Sequence, residues 1–230
     1  MLGIDDAEVW HGRLTAEDAH YPAYWCVLDA AEQAQALKFK NGLLRQRYVE
    51  VHGRLRNLLA QTLDQPPEKI RIAKAEHGKP YLVDYPELAF NLSHSADSMM
   101  IALGRQCRLG VDIEIRKPRI NMSGLVDKCF AEEEFFYWKQ LPETEKAEAF
   151  YRFWTRKEAL VKAVGHGIAL GLNDCVVNPE NPSEFLRVPA TCGPASAWQV
   201  LDIDVEQGLC GALVADKKFS VVRLLAFAEY

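Results

Sequence analysis

The sequence predicts an α+β chain built from two similar halves that meet near residue 105. Three observations lead to this fold class. Strand-like and helical segments alternate along the chain, and the second half repeats the order of the first half loosely. The sequence contains no glycine-rich dinucleotide or P-loop fingerprint that would indicate a doubly wound α/β sheet. With 230 residues, 49% of them apolar, the chain can bury a core without disulfides.

Charge and cysteine usage exclude several classes of function. The formal net charge is -5, which gives no general attraction to nucleic acid or to anionic membranes, so any anion site must be a local concentration of positive charge. The six cysteines are scattered without C-x-x-C pairs, and the acidic N-terminus does not resemble a signal peptide. No apolar run reaches the length of a membrane span. We therefore expect a cytoplasmic protein without nucleic-acid or membrane partners.

The first half contains one long helical pattern and several strands. "AYWCVLD" has strand-like composition. Leucines and valines recur at helical spacing from about Glu32 to Leu63, before Asp64 and two prolines. "KIRIAKAEHGKPYL" predicts two extended segments around a turn at Gly78, and "AFNLSHSADSMMIALG" predicts two strands around a polar bend.

The second half opens with the strand "CRLGVDIEI". Helical patterns follow over 122–136 and, more strongly, over about 145–164, where Gly165 and Gly167 end the helix. The remaining segments, among them "LCGALVA" and "FSVVRLLAF", read as short strands that we expect to complete the second sheet.

Two acids stand on one side of the strand Leu109–Ile115. Residues two apart on a strand share a face, so Asp112 and Glu114 project together while Val111 and Ile113 point the other way. Two carboxylates on one side can share a hard divalent cation. The alternative is an ordinary exposed strand face, and this stretch alone favours that alternative.

A second stretch, "FWTRKEALVKAVGHG", places Glu158 and Lys162 one turn apart on an amphipathic helix. Taken alone they indicate an i,i+4 ion pair that stabilises the helix by about 0.3 kcal/mol. Trp154 lies one turn before Glu158, so an aromatic side chain can shield this carboxylate from water.

Three further stretches could bind phosphate. In "FNLSHS", Ser93, His94 and Ser95 crowd together at the expected bend, and hydroxyl and imidazole donors suit phosphate oxygens. In "EHGKPY", Gly78 presents Lys79 at the tip of a turn. Basic residues also cluster on and before the first long helix, where a solvated face is the alternative; they are Lys38, Lys40, Arg45, Arg47, Arg54 and Arg56.

Together and in this order, these stretches resemble the 4′-phosphopantetheinyl transferases of the Sfp type. That family carries a G-(I/V)-D-(I/V)-E strand, here "GVDIE" from Gly110, and a later helix W-x-x-K-E-(A/S)-x-x-K-x-x-G-x-G, here "WTRKEALVKAVGHG" from Trp154. Its upstream G-K-P and F-N-(I/L)-S-H-S elements are present from Gly78 and Phe90. The match covers roughly residues 35 to 170, and four elements in the right order are specific.

The resemblance implies two similar α/β halves related by a pseudo-two-fold, within a single monomeric chain. The N-terminal half, 1–105, would carry coenzyme A-binding elements and the C-terminal half, 106–230, the magnesium and catalytic residues. Coenzyme A and Mg²⁺ would lie between the halves. The implied metal ligands are Asp112, Glu114 and Glu158, and an additional acid near the reaction centre would be Glu134 or one of its neighbours Glu132 and Glu133.

The resemblance also implies which residues bind coenzyme A. They are Lys79, Pro80, Ser93, His94, Lys157, Lys162 and either Arg45 or Arg47. Lys157 points about 100° away from Glu158 on an ideal helix, so a structural role competes with a phosphate contact at this position.

The implied reaction joins the serine of an apo acyl or peptidyl carrier protein to the β-phosphate of coenzyme A. Asp112, Glu158 and Lys162 would be catalytic, with Glu158 as first candidate for the base and Lys162 near the departing phosphate. A basic and apolar segment could contact the carrier, or could equally be a solvated linker followed by the core face of a helix; its residues are Arg116, Lys117, Arg119, Met122 and Leu125. A magnesium-dependent nucleotide phosphohydrolase and a non-catalytic coenzyme A-binding protein are the alternatives.

Overall fold

The structure, a computed structural model, describes residues 2–17, 19–116 and 121–228. The N-terminal half consists of a strand, three helices, a short hairpin and two long strands. In chain order these elements are β1 (Asp6–Arg13), α1 (Tyr21–Val27), α2 (Ala30–Leu37), α3 (Gly42–Leu63), β2 (Ile72–Lys74), β3 (Pro80–Leu82), β4 (Leu88–Ser95) and β5 (Ser98–Arg105).

The C-terminal half repeats this order and then adds one strand. Its elements are β6 (Leu109–Ile115), α4 (Met122–Cys129), α5 (Glu132–Gln140), α6 (Glu143–Val164), β7 (Val176–Val177), β8 (Phe185–Arg187), β9 (Gln199–Ile203), β10 (Leu209–Ala215) and β11 (Val221–Ala226). The predicted strand "CRLGVDIEI" is confirmed over Leu109–Ile115, so it begins two residues later than predicted.

The sheets repeat as well. Three strands of the first half lie in the order β1-β5-β4, and three of the second half lie in the order β6-β10-β9. The strands β6, β10 and β9 therefore correspond to β1, β5 and β4. In each half a 22-residue helix, α3 or α6, packs on this three-stranded unit. The α+β class and the two similar halves are therefore confirmed.

Local signals explain where the helices of the first half begin and end. The predicted helix from Glu32 to Leu63 is divided into α2 and α3, because the Asn41 side chain accepts the backbone N–H of Leu44 and starts a new helix. The helix α3 ends at Asp64, whose φ of 52° is left-handed.

The prediction of a strand over "AYWCVLD" is wrong, because Tyr21–Val27 forms α1. Its aromatic residues favour a strand by composition, but here Tyr21 and Trp25 stack along the helix with ring centroids 5.6 Å apart. Tyr24 packs on α3 at Gly53, where a Cβ atom would come within 2.6 Å of the tyrosine ring. Tertiary packing therefore overrides the local preference.

The expectation that the last segments complete the second sheet holds for β9 and β10 but not for β11. The strand β11 pairs in parallel with β1, from Asp6 opposite Val221 to His11 opposite Ala226. This pairing covers an edge of the first sheet that would otherwise expose unpaired backbone groups. The first sheet thus contains a strand from the segment 106–230.

A third core lies between the two sheets. It contains Ala7 and Val9 from β1 together with Val111 and Ile113 from β6. The predicted inward face of β6 is therefore confirmed, and its acids lie on the opposite face, towards α6. Among the described residues no helix is long and apolar enough to cross a membrane.

Candidate active site between the two halves

The helix α6 touches the backbone of β6 at Gly110. A Cβ atom at this position would lie 2.1 Å from the carbonyl oxygen of Ala159 and 2.4 Å from the backbone nitrogen of Ala163. Only glycine permits this approach. The close contact places Glu158 and Lys162, on the same helix, beside the acids of β6.

Asp112 is the most buried acid of this cleft, with 5% of its surface exposed. Its Oδ1 accepts hydrogen bonds from the Ser93 hydroxyl at 2.9 Å and from the Lys162 ammonium at 2.7 Å. Its Oδ2 is buried without a hydrogen-bond partner among the described residues. Burial raises the pKa of Asp112, and the charge of Lys162 opposes this rise. The buried carboxylate thus keeps one oxygen available for a cation.

Side chains of β4 connect the two halves along the edge of β6. Every second residue of β4 accepts a backbone N–H of β6 from a residue twenty positions later, so the two strands run parallel. The three contacts are Asn91 Oδ1 with Val111 N at 2.8 Å, Ser93 Oγ with Ile113 N at 3.4 Å and Ser95 Oγ with Ile115 N at 3.4 Å. We call this set the side-chain ladder. Because side chains replace a strand's carbonyl groups, the backbones stay further apart than the roughly 4.8 Å of ordinary paired strands.

The hydroxyls of the side-chain ladder also contact the acids. Ser93 donates to Asp112 at 2.9 Å, and Ser95 donates to Oε2 of Glu114 at 2.8 Å. The two predicted acids of β6 are thus each held by one serine of β4, and the site lies where the halves meet.

Glu158 completes the group of acids. Burial raises the pKa of Glu158 first, and the negative charges of Asp112 and then of Glu114 add to the rise, partly offset by Lys162. The three predicted metal ligands therefore lie close enough to repel one another.

The donor set has the chemistry that Mg²⁺ prefers, since it offers carboxylate oxygens and the buried Oδ2 of Asp112. However, in residues 2–17, 19–116 and 121–228 no three acidic, histidine or cysteine side chains are arranged as a metal-binding group. Lys162 is the cation that contacts Asp112 in this structure. The ligands fit the ion chemically, and the magnesium site stays a prediction.

Basic residues gather around His94. Burial lowers the pKa of His94, and the positive charges of Lys162, His52 and Arg47 lower it further. The Nε atom of Arg47 is buried and finds no hydrogen-bond partner in the described part of the chain. Arg45 lies half-buried in the same helix. This concentration of positive charge is what a phosphate site needs in an acidic protein.

Lys79 fastens the first half to the second. Its ammonium donates to the carbonyl oxygens of Leu109 at 3.0 Å and of Ala163 at 2.6 Å. Burial lowers the pKa of Lys79 to about 8. The side chain thus satisfies the end of α6 and the start of β6, and the predicted phosphate contact stays a prediction beside this structural role.

A cleft of about 580 Å³ opens next to Pro80, with Tyr48, His52 and Lys74 among its lining residues. The rings of Tyr48 and His52 stack with centroids 4.1 Å apart. Stacked rings and a lysine can accommodate a planar base and an anionic group. This cleft adjoins the predicted coenzyme A residues of the first half.

The structure gives Lys157 a structural role in place of the predicted contact with coenzyme A. Its side chain has no exposed surface, and its ammonium contacts Glu134 at 2.6 Å, the carbonyl oxygen of Cys129 at 3.0 Å and that of Leu172 at 2.8 Å. All three donors are thus used within the protein. Glu134 also accepts from the backbone of Ala131 and Val177, so it lies in the core of the second half and not at the cleft.

The predicted carrier-binding segment is described only in part. Arg116 lies within 3.6 Å of Glu148 and 4.0 Å of Asp204, so neighbouring acids offset its charge. Met122 and Leu125 are half-buried against the core of the second half. Lys117 and Arg119 lie outside the described residues.

Sequence reasoning missed the roles of Asn91 and Gly110 in the cleft, and it gave Ser95 a phosphate contact where the structure has a contact with Glu114. A signal was present, since Asn91, Ser93 and Ser95 are polar at every second position of a strand whose alternate residues Phe90 and Leu92 are apolar. Such a face can be aimed at a partner strand.

Comparisons with known proteins agree with this geometry. A family model described as the 4′-phosphopantetheinyl transferase superfamily matches residues 108–214, and one described as the N-terminal part of 4′-phosphopantetheinyl transferase matches residues 15–106. The 4′-phosphopantetheinyl transferase HetI of Nostoc sp. is 30% identical over 215 residues, covering 92% of this chain and 87% of HetI. A Synechocystis sp. protein provisionally named for the same activity is 32% identical, covering 78% and 73% of the two chains. Sfp of Bacillus subtilis is 30% identical over 119 residues, or 52% of each chain.

Proposed function

This chain belongs to the 4′-phosphopantetheinyl transferase superfamily, and from that premise we propose how it transfers the phosphopantetheine arm of coenzyme A to a carrier protein. The observation that carries the proposal is the contact of Lys162, Asp112 and Ser93 at the junction of the halves, beside the basic residues around His94. Acidic side chains that can hold a cation and basic side chains that can bind phosphates therefore lie in one cleft.

In the reaction, the hydroxyl oxygen of a carrier serine attacks the β-phosphorus of coenzyme A. A new bond forms between this oxygen and phosphorus, and the bond from phosphorus to the bridging oxygen breaks. The products are the phosphopantetheinyl carrier and 3′,5′-ADP, and the serine proton must be taken up. Such a transfer depends mainly on positioning and on neutralising charge.

The residues of the cleft fit these tasks. Glu158 is the first candidate for the base, since burial and neighbouring carboxylates raise its pKa above the ordinary value and so make it a stronger base. Lys162 keeps 28% of its side chain exposed and can neutralise the departing phosphate. Asp112 orients Lys162 through a 2.7 Å contact.

Mg²⁺ would be held by Asp112, Glu114 and Glu158. Bound there, it would polarise the phosphorus and neutralise the pyrophosphate charge. Whether Glu158 serves as ligand or as base is a question that variants of this residue can answer.

For coenzyme A we propose Arg45 or Arg47, Lys79, Pro80, Ser93, His94 and Lys162 as binding residues. The support is the positive charge around His94 and the cleft beside Pro80. Lys157 acts from behind this site, by fixing α6 to the core of the second half.

At the level of the whole chain, we propose an Sfp-type, cytoplasmic monomer. Residues 1–105 would supply most coenzyme A contacts and residues 106–230 the acids. The carrier would approach along Arg116, Lys117, Arg119, Met122 and Leu125, where basic and apolar groups suit a transient interface with an acidic partner.

The direct test incubates the protein with apo acyl and peptidyl carriers, coenzyme A and Mg²⁺, and follows the carrier mass. We expect one phosphopantetheine arm to be added, and Asp112→Asn and Glu158→Gln each to reduce the rate by about 10³-fold while the fold is kept. The control is Glu8→Gln, which changes a half-buried acid on β1 that contacts Arg223 at 3.2 Å. No mass gain on any of several carriers would refute the proposal, and a near-normal rate for a folded Asp112 or Glu158 variant would remove that residue from the site.

A further inference from the structure

Two members of the side-chain ladder, Asn91 and Ser95, have no part in the proposed mechanism, and only Ser95 contacts an acid. Ser95 lies at the end of β4, half-buried, and its hydroxyl contacts Glu114 at 2.8 Å. We propose that Ser95 is a positioning residue that fixes the Glu114 carboxylate for its cation, as Ser93 fixes Asp112. This inference rests on the proposed magnesium role of Glu114.

The direction of the Ser95 hydroxyl follows from its contacts. A serine hydroxyl has one proton to donate, and its oxygen can accept. The oxygen accepts the backbone N–H of Ile115 at 3.4 Å, and the proton is donated to Oε2 of Glu114. Because the N–H holds the oxygen in place, the hydroxyl restrains the carboxylate relative to the backbone of β6.

Ser93 shows the same arrangement one repeat earlier. Its oxygen accepts from Ile113 N at 3.4 Å and its proton goes to Asp112 at 2.9 Å. In both cases the serine accepts from one residue of β6 and donates to the acid directly before it. The two serines thus make equivalent contacts two residues apart, and Ser93 also accepts from the Lys162 ammonium at 2.8 Å.

The third contact of the side-chain ladder, that of Asn91, involves no acid. Asn91 accepts from Val111 N at 2.8 Å, and the preceding residue of β6 is Gly110, which has no side chain to hold. An amide that only anchors the backbone is sufficient there. Asn91 therefore shares the twenty-residue offset of the two serines, and a slip by two residues would direct neither serine to its own acid.

The experiment measures Mg²⁺ affinity by calorimetric titration in the presence of coenzyme A, and transfer rate as a function of Mg²⁺ concentration. Losing a hydrogen bond that orients a metal ligand typically weakens metal binding by about 10- to 100-fold. We expect this loss for Ser95→Ala, with the transfer rate recovering at high Mg²⁺, whereas Ser95→Thr, which keeps a hydroxyl, should bind like the unchanged protein. Thr62→Val is the control, because it removes a hydroxyl that donates to Leu58 O at 2.8 Å on α3, away from the cleft.

A double variant separates a role through Glu114 from a merely structural role of Ser95. If Ser95 acts through Glu114, Ser95→Ala should cause no further loss of Mg²⁺ affinity in a Glu114→Gln background; a full additional loss would overturn the inference. Equal affinity for Ser95→Ala and the unchanged protein would overturn it as well, while leaving the proposed function intact. Failure of the unchanged protein to bind Mg²⁺ or to modify a carrier would instead refute the proposed function.

Discussion

The strands β1 and β6 occupy equivalent positions, each at one edge of the three-stranded unit of its half. Each has a parallel neighbour on its outer side. At β1 the neighbour is β11, joined by regular backbone pairing from Asp6 to His11. At β6 the neighbour is β4, joined through the side-chain ladder of Asn91, Ser93 and Ser95. The outer edge of β1 is thus paired by backbone hydrogen bonds, and we call it the closed edge. The outer edge of β6 is bridged only through side chains, and we call it the open edge.

The long helices α6 and α3 also differ in how closely they approach these two strands. In the second half α6 lies against the backbone of β6 at Gly110. In the first half a cleft of about 440 Å³ lies along β1 and α3, lined by Glu8, Trp10 and Leu58. At Gly12 of β1 an added Cβ atom would meet the side chain of Arg54 from α3, at 3.2 Å, whereas at Gly110 it would meet the backbone of α6.

Both edges nevertheless carry acids and a cation. Arg223 of β11 contacts Asp6 at 3.1 Å and Glu8 at 3.2 Å, and Lys162 contacts Asp112 at 2.7 Å. We propose that acids on an edge strand are not sufficient for a site, and that the open edge and the close helix of the second half make the difference.

The largest effect is expected from Gly110→Ala, which would remove the close helix. The added Cβ would meet backbone atoms of Ala159 and Ala163, which cannot move independently of α6. We expect the free energy of unfolding to fall by about 3 kcal/mol. Displacement of Lys162 should lower the transfer rate by at least about 10²-fold. Denaturant unfolding and the carrier-mass assay measure the two losses.

Gly42→Ala is the control for this substitution, since nothing lies within 4 Å of the added atom and Gly42 is the first residue of α3. It should leave both quantities unchanged or raise stability slightly. If Gly110→Ala behaved like Gly42→Ala, the contact between α6 and β6 would not be what assembles the site.

The next largest effect is expected from Lys162→Met, which removes the cation of the open edge. We expect the transfer rate to fall by about 10²- to 10³-fold. Because Asp112 is buried and loses a partner, the free energy of unfolding should also fall, by about 1–3 kcal/mol.

Arg223→Met is the matched variant at the closed edge. Arg223 and its acids are partly exposed, so stability should change by less than about 1 kcal/mol, and transfer should not change. Equal losses of activity in the two variants would contradict the assignment of function to the open edge alone.

The last effect is seen only above pH 8 and concerns the pH dependence of stability through Lys79, which fastens the start of the open edge. Its folded pKa of about 8 lies below the ordinary 10.5, so between these values the unfolded chain binds a proton that the folded chain has lost. Stability relative to Lys79→Met should therefore rise with pH from about 8 to 10.5, by at most about 1.4 kcal/mol per pH unit. Below pH 8 the difference should be constant.

Urea unfolding at a series of pH values measures this slope. A slope of zero above pH 8 would show that Lys79 is not desolvated as its contacts indicate. If Lys79 also binds phosphate, the Kd for coenzyme A should increase above pH 8 in the unchanged protein but not in Lys79→Met. This second measurement separates the structural role from the phosphate role.

Local patterns were sufficient for much of this structure. The alternation in "LGVDIEI" predicts a strand here and the shared face of its acids, because strand periodicity depends only on neighbouring residues. The helix carrying Glu158 and Lys162 was predicted to end at Gly165, where the structure has a left-handed φ of 80°. The pairing of these two elements was implied by family resemblance and not by the residues themselves.

Long-range contacts account for what was missed. Whether Lys157 faces the core or the cleft depends on the position of Glu134 in another helix. The destination of β11 depends on which edge is free after the other strands have paired. The side-chain ladder needs two strands twenty residues apart in register, and neither strand alone reveals its partner.

The pairing of β11 with β1 has a consequence for how the protein is made. During synthesis the first strand leaves the ribosome long before Val221–Ala226, its neighbour on the outer edge of the first sheet. The first half can collapse early around α3, but its outer edge stays available to other chains until β11 is translated. Nascent chains stalled shortly before residue 221 should therefore be prone to edge-to-edge association, and chains that include β11 should not.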